Sequence, residues 1–350
     1  MDFPHGRTLA HGGDATPNAL NNMGRLRAAM VRIDVIAYTP TEVLEEHDIT
    51  VGRARELVEK YGVTWMNIVD PSGRTLEELE ALFGFHPLAL EDSVNQDLTP
   101  KIEAFDDVVF VVARTIIWAE EIETDQLSLF VSRKFVVTIH DKVFPQLEDI
   151  RVRIRKRAPK LMKSGADYLC YSILDVIVDS YFPHLDRFQE VVDRLENEIV
   201  ADPSGTGISK IHAVRRDLTR VRNMLRPQRD VLGTLSRLET PIFKKEIRNY
   251  LRDVQDHMIR VSDTLDTLRE VSTSLMEVQA TLADARLNSI IKVLTVLFTV
   301  TIPLTIVTSA FGMNVGFWGF NQPEGLYLAL ALMIAPTLIL VVWMRRKGWL

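Results

Sequence analysis

The chain has almost no cysteine, and it lacks the short motifs of common hydrolases and nucleotide-binding proteins. Its one cysteine, Cys170, excludes an intramolecular disulfide and a cysteine-rich zinc site. The apolar neighbours of Cys170 predict a buried structural thiol. HExxH, P-loop and GxSxG motifs are absent, so we expect neither an enzyme nor a bound cofactor. An apolar h-region is also lacking at the N-terminus, so we expect no signal peptide.

Glycine and proline are absent between Ile242 and Ile302. This absence predicts one uninterrupted helix over about residues 245–311, which would be on the order of 100 Å long. The helix ends in an apolar run, Ile290–Phe311, and a second apolar run follows at Leu326–Met344. Each run has about 20 residues, the length that a helix needs to cross the hydrocarbon core of a bilayer. The sequence therefore predicts two membrane spans joined by a short polar turn, Gly312–Gly325.

Lysine and arginine are absent from that turn but flank both spans. Arg286 and Lys292 lie at the start of the first span, and Arg345, Arg346 and Lys347 follow the second. Under the positive-inside rule, both termini face the cytoplasm and the turn faces outside. We therefore predict a multi-pass protein of the cell (inner) membrane with a large cytoplasmic N-terminal part.

The N-terminal part reads as an α/β domain followed by helices. Strand signals occur at Val31–Tyr38, Thr64–Val69, Val108–Trp118, Gln126–Val131 and Phe135–His140, with helices at Val51–Tyr61 and from a capping box at Thr75 to Gly84. Long amphipathic helices follow at Ala166–Val200 and Ser209–Leu238, with Pro183 and Pro227 as candidate kinks. We divide the chain into a mobile tail (1–29), an α/β domain (30–160), amphipathic helices (161–240), a stalk and first transmembrane helix (241–311), an external loop (312–325), a second transmembrane helix (326–344) and a basic cytoplasmic terminus (345–350).

A basic run, RVRIRKRAPK, lies within Lys142–Lys163. Such a run could bind acidic lipid headgroups or nucleic acid, or it could form the solvated face of a helix. The net charge of −6 argues against a nucleic-acid partner. We therefore interpret the run as a helix face, and we expect membrane lipid but no nucleic acid among the partners.

The long helix carries two different faces. The first is apolar at heptad spacing, at Val254, Met258, Val261, Leu265, Leu268, Leu275 and Leu282, with Ser272 and Gln279 as interruptions. The second carries an acid every seven residues, at Asp256, Asp263, Glu270, Glu277 and Asp284. Steps of three and four residues continue this second face into the membrane, at Asn288, Ile291, Thr295, Phe298, Ile302, Thr305, Ser309 and Gly312.

Two interpretations of the acidic face stay open at this point. The acids are compatible with a helix that simply faces water. Alternatively, several copies of the helix surround a pore, in which each acid becomes a ring of charge that concentrates cations. Ile291, Phe298 and Ile302 would then form an apolar constriction that gates by dewetting, and Thr305, Ser309 and Asn314 would offer oxygens near the outer mouth. Two helices cannot enclose a water-filled path, so a pore requires an oligomer.

Several segments together resemble the CorA family of magnesium transporters. They are Phe311-Gly312-Met313-Asn314 after a long helix, the second span, the basic terminus RRKGWL, and the blocks Phe83–Asn95, Thr99–Glu103, Ala166–Phe182 and Tyr250–Thr264. The resemblance covers about residues 60–350. It implies an α+β membrane protein that assembles as a homopentameric funnel, with an α/β/α cytoplasmic domain, a pore lined by the long helix, and an outer ring formed by the second span.

The resemblance also implies roles for particular residues. Gly312, Met313 and Asn314 would form the selectivity filter for hydrated Mg²⁺, and Thr305 and Asn288 would form further pore rings. A regulatory Mg²⁺ would bind between subunits at Asp92 and Asp253, with Glu91 and Asp175 close by. Independently of the resemblance, His257 lies near Asp253 and Asp256 in the sequence, and such a group could bind a transition metal. We interpret His257 instead as a histidine on the helix surface.

Two departures from the family pattern bear on the transported ion. The loop Val315–Glu324 has Glu324 as its only acid, whereas many members carry an acidic Met-Pro-Glu-Leu loop there. Ile291, Phe298 and Ile302 also stand where methionines are often found. The resemblance implies a channel that transports Mg²⁺, with Co²⁺ and Ni²⁺ as further candidate ions. Because of the two departures, Zn²⁺ transport on the same fold stays as an alternative, and so does a membrane-anchored scaffold protein.

Overall fold

The computed structural model describes residues 31–96, 98–118, 122–202, 207–313 and 323–348. The tail predicted at residues 1–29, Asn314 and most of the loop after it lie outside the described residues. The chain divides into two compact units, Met1–Gln189 with Arg216–Arg269 and Glu190–Arg215 with Glu270–Leu350. The seven-segment division drawn from the sequence stays a prediction.

One sheet of seven strands forms the centre of the N-terminal domain, in the order β2-β1-β3-β7-β6-β5-β4. The strands are β1 (Arg32–Tyr38), β2 (Val43–Glu46), β3 (Val63–Val69), β4 (Lys101–Ala104), β5 (Val109–Trp118), β6 (Ile122–Val131) and β7 (Phe135–His140). β3 and β7 pair in parallel, and the other pairs are antiparallel. The five predicted strands are confirmed, and β2 and β4 were missed.

Ten helices complete the described part of the chain. They are α1 (Val51–Lys60), α2 (Gly73–Phe83), α3 (Pro87–Val94), α4 (Gln146–Arg155), α5 (Pro159–Lys163), α6 (Ala166–Asp179), α7 (Phe182–Ala201), α8 (Gly207–Arg237), α9 (Ile247–Gly312) and α10 (Pro323–Arg346). The predicted start of α2 was wrong: its N-cap is Ser72, whose hydroxyl accepts from the Thr75 amide, so Thr75 lies inside the helix. The predicted end is confirmed, because Gly84 adopts the left-handed conformation, with a φ of 69°.

Helices cover both faces of the sheet. On one face, Val35, Met66 and Val137 join Leu57 of α1 and Leu79 of α2 in one buried cluster. Trp65 alternates with Met66 along β3 and therefore points to the opposite face. There the guanidinium of Arg151 on α4 lies 5.6 Å from the centre of the Trp65 ring. The domain thus has three layers, with the sheet in the middle.

The basic run of α4 and α5 forms ion pairs with the sheet. Arg151 donates to Asp34 on β1 at 3.3 Å, and Arg155 donates to Glu45 on β2 at 2.7 Å. Burial acts to raise the pKa of Asp34, but hydrogen bonds from His47 and Arg32 and the charge of Arg151 outweigh it and lower that pKa. These pairs use two of the arginines that could have bound lipid or nucleic acid.

The predicted helix Ala166–Val200 is wrong in one respect, because it is two helices that break at Ser180 and Tyr181. Pro183 lies in the first turn of α7, where its missing amide hydrogen costs nothing. Tyr181 is fully buried, and its hydroxyl donates to the Arg114 carbonyl and accepts from Gln228 Nε2. The break between the helices therefore places the Tyr181 hydroxyl where it forms a hydrogen bond both as a donor and as an acceptor.

Cys170 is fully buried on α6, as predicted. Burial raises the pKa of its thiol well above the ordinary value. A buried thiol with a raised pKa is inert, which agrees with a structural role.

Two helices among the described residues are long and apolar enough to cross a membrane: α9, and α10 over Gly325–Arg346. Their apolar stretches are 0% and 6% buried within the chain. A core helix of a soluble protein would be mostly buried, so this exposed apolar surface requires lipid or other protein chains around it. The two spans predicted from the sequence agree with these helices.

Candidate functional site

The apolar face of α9 is a packing face. Val254, Met258, Val261, Leu265, Leu268 and Leu275 are each at most 5% exposed, and Leu282 is half-buried. Ser272 and Gln279, which interrupt the apolar pattern, are 1% and 2% exposed and lie on the same buried face. This face is therefore buried, as its apolar pattern predicts.

The acidic face of α9 is exposed in the single chain. Its exposed polar members are Asp256, Asp263, Glu270, Glu277, Asp284 and Asn288. Farther along the same face, Ile291 is 57% exposed, Phe298 56% and Ile302 51%. One helix surface therefore passes from carboxylates to apolar side chains, while the opposite face of the N-terminal half of α9 is buried.

Hydroxyl groups lie between and beyond these apolar residues on the same face, and each of the two threonines there donates to a carbonyl of its own helix. Thr295 Oγ1 donates to the Ile291 carbonyl at 2.7 Å, and Thr305 Oγ1 donates to the Thr301 carbonyl at 2.9 Å. A hydroxyl has one hydrogen and two lone pairs, so this bond leaves the oxygen as an acceptor. Thr305 and Ser309 are exposed, and Thr295 is half-buried. The exposed oxygens are suited to a cation or to the water that surrounds it.

Gly312 and Met313 lie at the end of this face. Gly312 is the last residue of α9, and Met313 is 58% exposed. A Cβ added at Gly312 would meet no atom within 4 Å inside the chain. Steric constraints within one chain therefore do not explain why residue 312 is a glycine. Asn314, the third residue of the predicted filter, lies outside the described residues.

Asp92 lies near the end of α3 and forms an ion pair with Lys101 on β4. Asp92 Oδ2 is 2.5 Å from Lys101 Nζ, which also lies 2.9 Å from Glu103. Burial acts to lower the pKa of Lys101, but the hydrogen bonds to Asp92 and Glu103 outweigh it and raise that pKa. The sequence alone did not suggest this lysine, although it lies in the segment Thr99–Glu103 that carries the family resemblance. Glu91, the neighbour of Asp92, is exposed.

The sheet holds the Asp92 backbone in place. Gln126 on β6 donates from Nε2 to the Asp92 carbonyl at 2.7 Å. At its other end, α3 begins with Pro87 and is capped by His86, whose Nδ1 accepts from the Leu88 amide. Both ends of this short helix are thus fixed, and so is the position from which the Asp92 carboxylate extends.

Asp175 belongs to a second cluster, formed by α6 and α9. One ligand atom each from Asp175, Asp179 and His257 lie within 4.8 Å of one another. His257 Nδ1 is 3.0 Å from Asp179 Oδ1, and His257 Nε2 is 4.0 Å from Asp253 Oδ2. The predicted regulatory residues therefore fall into two groups: Asp92 and Glu91 on α3, and Asp175 and Asp253 around His257.

Burial and negative charge dominate the electrostatics of the second cluster. Burial, followed by the charge of Asp179, raises the pKa of Asp175 above its ordinary value. Burial and the charge of Asp175 likewise raise the pKa of Tyr171, whose hydroxyl donates to Asp175 Oδ2 at 3.3 Å.

Two features of this cluster differ from the expectation. His257 pairs with Asp179, a partner that was not predicted, and its other ring nitrogen lies near Asp253. Asp179 was missed, although its spacing of four residues from Asp175 places both carboxylates on one helix face. This spacing could have identified Asp179 from the sequence as a neighbour of Asp175.

A three-layer α/β domain, a long helix with buried and exposed faces, and two exposed apolar helices define a membrane protein that presents carboxylates and hydroxyls along one line. This is the class of divalent-cation transporters. The family profile described as "CorA-like Mg2+ transporter protein" matches residues 60–346, and the chain belongs to this family.

Relatives agree with the assignment. The cobalt/magnesium transport protein CorA of Thermotoga maritima is 32% identical over 344 residues, which cover 95% of this chain and 96% of the relative. The solved structure of the CorA magnesium transporter from Methanocaldococcus jannaschii matches with a TM-score of 0.77 at 25% identity, covering 92% of this chain and 100% of the other. A zinc transport protein, ZntB of Pectobacterium carotovorum, is 22% identical over 73% of this chain and 78% of its own length. Members of the family are transporters, so we assign the chain to divalent-cation transport in a membrane, with no cofactor.

Proposed function

We propose that the chain forms a homopentameric channel for Mg²⁺ uptake, which also admits Co²⁺ and Ni²⁺. The observation that supports this most strongly is the exposed face of α9, which carries Glu277 and Asp284, then apolar residues, then Thr305 and Ser309. Two spans per chain cannot enclose water, so several chains have to surround the pathway. Lysines and arginines lie at the start of the first span and after the end of the second, and they are absent from the turn between the spans. This distribution supports a cytoplasmic location for both termini.

Each part of this face has a physical role in the proposal. Rings of Glu277 and Asp284 raise the local concentration of cations on the cytoplasmic side. Asn288, Thr295, Thr305 and Ser309 offer neutral oxygens. At the outer mouth, Gly312, Met313 and Asn314 form the ring that contacts the water shell of the ion, because Mg²⁺ dehydrates reluctantly.

The apolar segment at Ile291, Phe298 and Ile302 is the proposed gate. A narrow apolar ring excludes water and blocks ions until it widens. Replacing Ile302 with asparagine places a polar ring in the constriction and hydrates it. We expect flux at inhibitory Mg²⁺ to rise at least about tenfold, which corresponds to a barrier lowered by about 1.4 kcal/mol.

The measurement for the gate is Mg²⁺ flux in liposomes with high internal Mg²⁺. Val293, also in this span and 67% exposed, provides the matched control, since it lies on the side of α9 opposite Ile302. Val293→Asn is expected to leave the flux at high Mg²⁺ low. Equal leakage in both variants would contradict the assignment of Ile302 to the gate.

Regulation is proposed to come from Mg²⁺ bound between cytoplasmic domains by Asp92 of one subunit and Asp253 of the next, with Glu91 and Asp175 nearby. Without a metal ion these carboxylates repel one another, and with one they are bridged through oxygens that suit Mg²⁺. Mg²⁺ would then hold a closed state by binding it preferentially. Internal Mg²⁺ thus limits its own uptake.

Lys101 is expected to compete with this regulatory Mg²⁺. Its ammonium already neutralises Asp92 at 2.5 Å, so the bound cation has to displace it. Replacing Lys101 with methionine should therefore lower the internal Mg²⁺ concentration that halves the flux, by about three- to tenfold, or about 0.7–1.4 kcal/mol. The measurement is flux against internal Mg²⁺ in liposomes.

Two variants serve as controls for the Lys101 prediction. Lys101→Arg keeps the positive charge and should behave like the original protein. Lys134→Met removes an exposed lysine elsewhere in the same unit and should also leave inhibition unchanged. If Lys101→Met raised the inhibitory concentration, competition at Asp92 would be refuted.

Zn²⁺ transport is the second candidate, because a zinc transport protein is among the relatives and the outer loop has only one acid. Reconstituted protein distinguishes the candidates by uptake of Mg²⁺, Co²⁺, Ni²⁺ and Zn²⁺ with a membrane potential and, separately, with a proton gradient. We expect uptake of Mg²⁺ that follows the potential. Zn²⁺ uptake that requires a proton gradient, with no uptake of Mg²⁺, would favour the alternative.

A further inference from the structure

A cavity of about 580 Å³ lies between the C-terminal end of α2 and the turn that joins β4 to β5. Its volume is in the range of small-molecule sites, about 300–1,000 Å³. The cavity is lined from α2, the start of α3, the β4–β5 turn and β6, and its described lining includes no residue of α6 or α9. The proposed ion pathway and its regulation leave this cavity without a role.

Aromatic rings form the floor of the cavity. Phe85 and Phe130 are at most 2% exposed, and their rings stack with centres 4.3 Å apart. Nearer the solvent, the Phe105 ring stacks on the exposed His86 imidazole with centres 5.1 Å apart. The faces of phenylalanine rings attract cations and also bury alkyl chains, so this floor suits a ligand that has both.

The rim of the cavity is acidic. Glu80, Asp106 and Asp107 are exposed there, and the described lining contains no lysine or arginine. The last turn of α2, which ends at the cavity, also has no basic residue, so the negative end of the helix dipole adds to the carboxylates. Arg55 of α1 lies over the Phe83 ring, 5.4 Å from its centre, so a guanidinium already uses one lining ring in this way.

We propose that this cavity binds an aliphatic polyamine, with its ammonium groups at the rim carboxylates and its alkyl chain on the phenylalanine rings. Mg²⁺ is a poor ligand for such a cavity, because it requires oxygen ligands or water on all sides and the floor offers only carbon. An alkylammonium ion has an apolar chain to bury and a charge that the aromatic faces attract. The site is therefore additional to the proposed ion pathway and does not depend on it.

Both sides of the cavity are held in place before a ligand arrives. The Phe105 amide donates to the Val108 carbonyl at 2.9 Å and closes the turn that carries the two aspartates. On the other side, His86 Nδ1 accepts from the Leu88 amide at 3.2 Å, which fixes the imidazole that stacks on Phe105. A site that is already ordered loses little conformational entropy when the ligand binds.

The test is a calorimetric titration of the full-length purified protein with spermidine, a linear triamine. We expect one spermidine per chain, which an equal concentration of Mg²⁺ does not displace. Phe105→Leu keeps an apolar side chain but removes the ring, and it should weaken binding about threefold to thirtyfold. Phe105→Tyr keeps a ring and should bind like the original protein. Glu80→Gln should weaken binding about two- to fivefold.

Glu77→Gln is the matched control, because Glu77 is an exposed acid of α2 outside the cavity lining. It should leave the spermidine titration unchanged. Undiminished binding in both Glu80→Gln and Phe105→Leu would overturn the proposal. An equal loss of binding in Glu77→Gln and Glu80→Gln, or displacement of spermidine by an equal concentration of Mg²⁺, would show only a general attraction to surface acids and would also overturn it.

Two further outcomes keep this test independent of folding defects and of the channel. Should Phe105→Leu fail to fold, the comparison of Glu80→Gln with Glu77→Gln decides the question, since both side chains are exposed. Absence of Mg²⁺ flux in the unmodified protein would refute the channel and leave the spermidine result standing.

Discussion

Replacing Asn314 with alanine is expected to abolish Mg²⁺ flux while assembly is preserved. In the proposed pentamer this change removes five amide oxygens from the ring that we propose contacts the hydrated ion. At about 1 kcal/mol for each lost hydrogen bond, the combined loss is about 5 kcal/mol, or more than a thousandfold in rate. The measurement is Mg²⁺ uptake into liposomes together with the oligomeric state in detergent.

The Asn314 prediction also separates a transporter from a membrane anchor. Asn321→Ala in the same loop is the matched control and should retain flux, because Asn321 lies outside the predicted filter. An Asn314→Ala protein that transports Mg²⁺ at an undiminished rate would remove the tripeptide from the ion path. Loss of assembly in this variant would instead indicate a structural role for Asn314.

Replacing Asp92 and Asp253 together with asparagine is expected to make flux insensitive to internal Mg²⁺. The double change removes the negative charge on both sides of the proposed subunit contact, so the ion no longer favours the closed state. We expect the inhibitory Mg²⁺ concentration to rise at least about tenfold, or about 1.4 kcal/mol. Flux against internal Mg²⁺ in liposomes measures this.

Asp230 offers the matched control for this prediction. It is an exposed carboxylate on α8, 71% exposed at the side chain, and Asp230→Asn should be inhibited like the original protein. Inhibition that persists unchanged in the double variant would refute regulation at Asp92 and Asp253.

The long helix was predictable from the sequence because its signals are local. The absence of glycine and proline before Pro303 and the heptad spacing of apolar residues require no knowledge of the rest of the fold. The predicted limits, about residues 245–311, compare with an observed helix of Ile247–Gly312. The buried face was predictable for the same reason.

The two prolines in the amphipathic helices show where local signals are insufficient. Pro183 stands at the start of α7 after a break, whereas Pro227 lies inside the continuous helix α8. Gln228, beside Pro227, donates to the Tyr181 hydroxyl and accepts from the Arg114 amide, and these contacts hold α8 against the break. Long-range contacts of this kind cannot be read from either proline.

Contacts between separate elements also explain why β2, β4 and the partners of the carboxylates were not predicted. β2 and β4 have four residues each, and the ladders with β1 and β5 stabilise them more than their own sequence does. Lys101 on the edge strand β4 forms its ion pair with Asp92 on α3, a contact that neither segment indicates by itself. The sequence suggested Asp92 and Asp253 as candidate ligands, but it did not reveal that Lys101 lies beside Asp92 and His257 beside Asp253.

The most direct test of the central claim is Mg²⁺ uptake into liposomes that contain only this purified chain, with an imposed inside-negative potential. We predict uptake that increases with the potential, requires no proton gradient and stops as Mg²⁺ accumulates on the side of the cytoplasmic domain. An intact oligomer in the membrane that passes no Mg²⁺ at any potential would contradict the account.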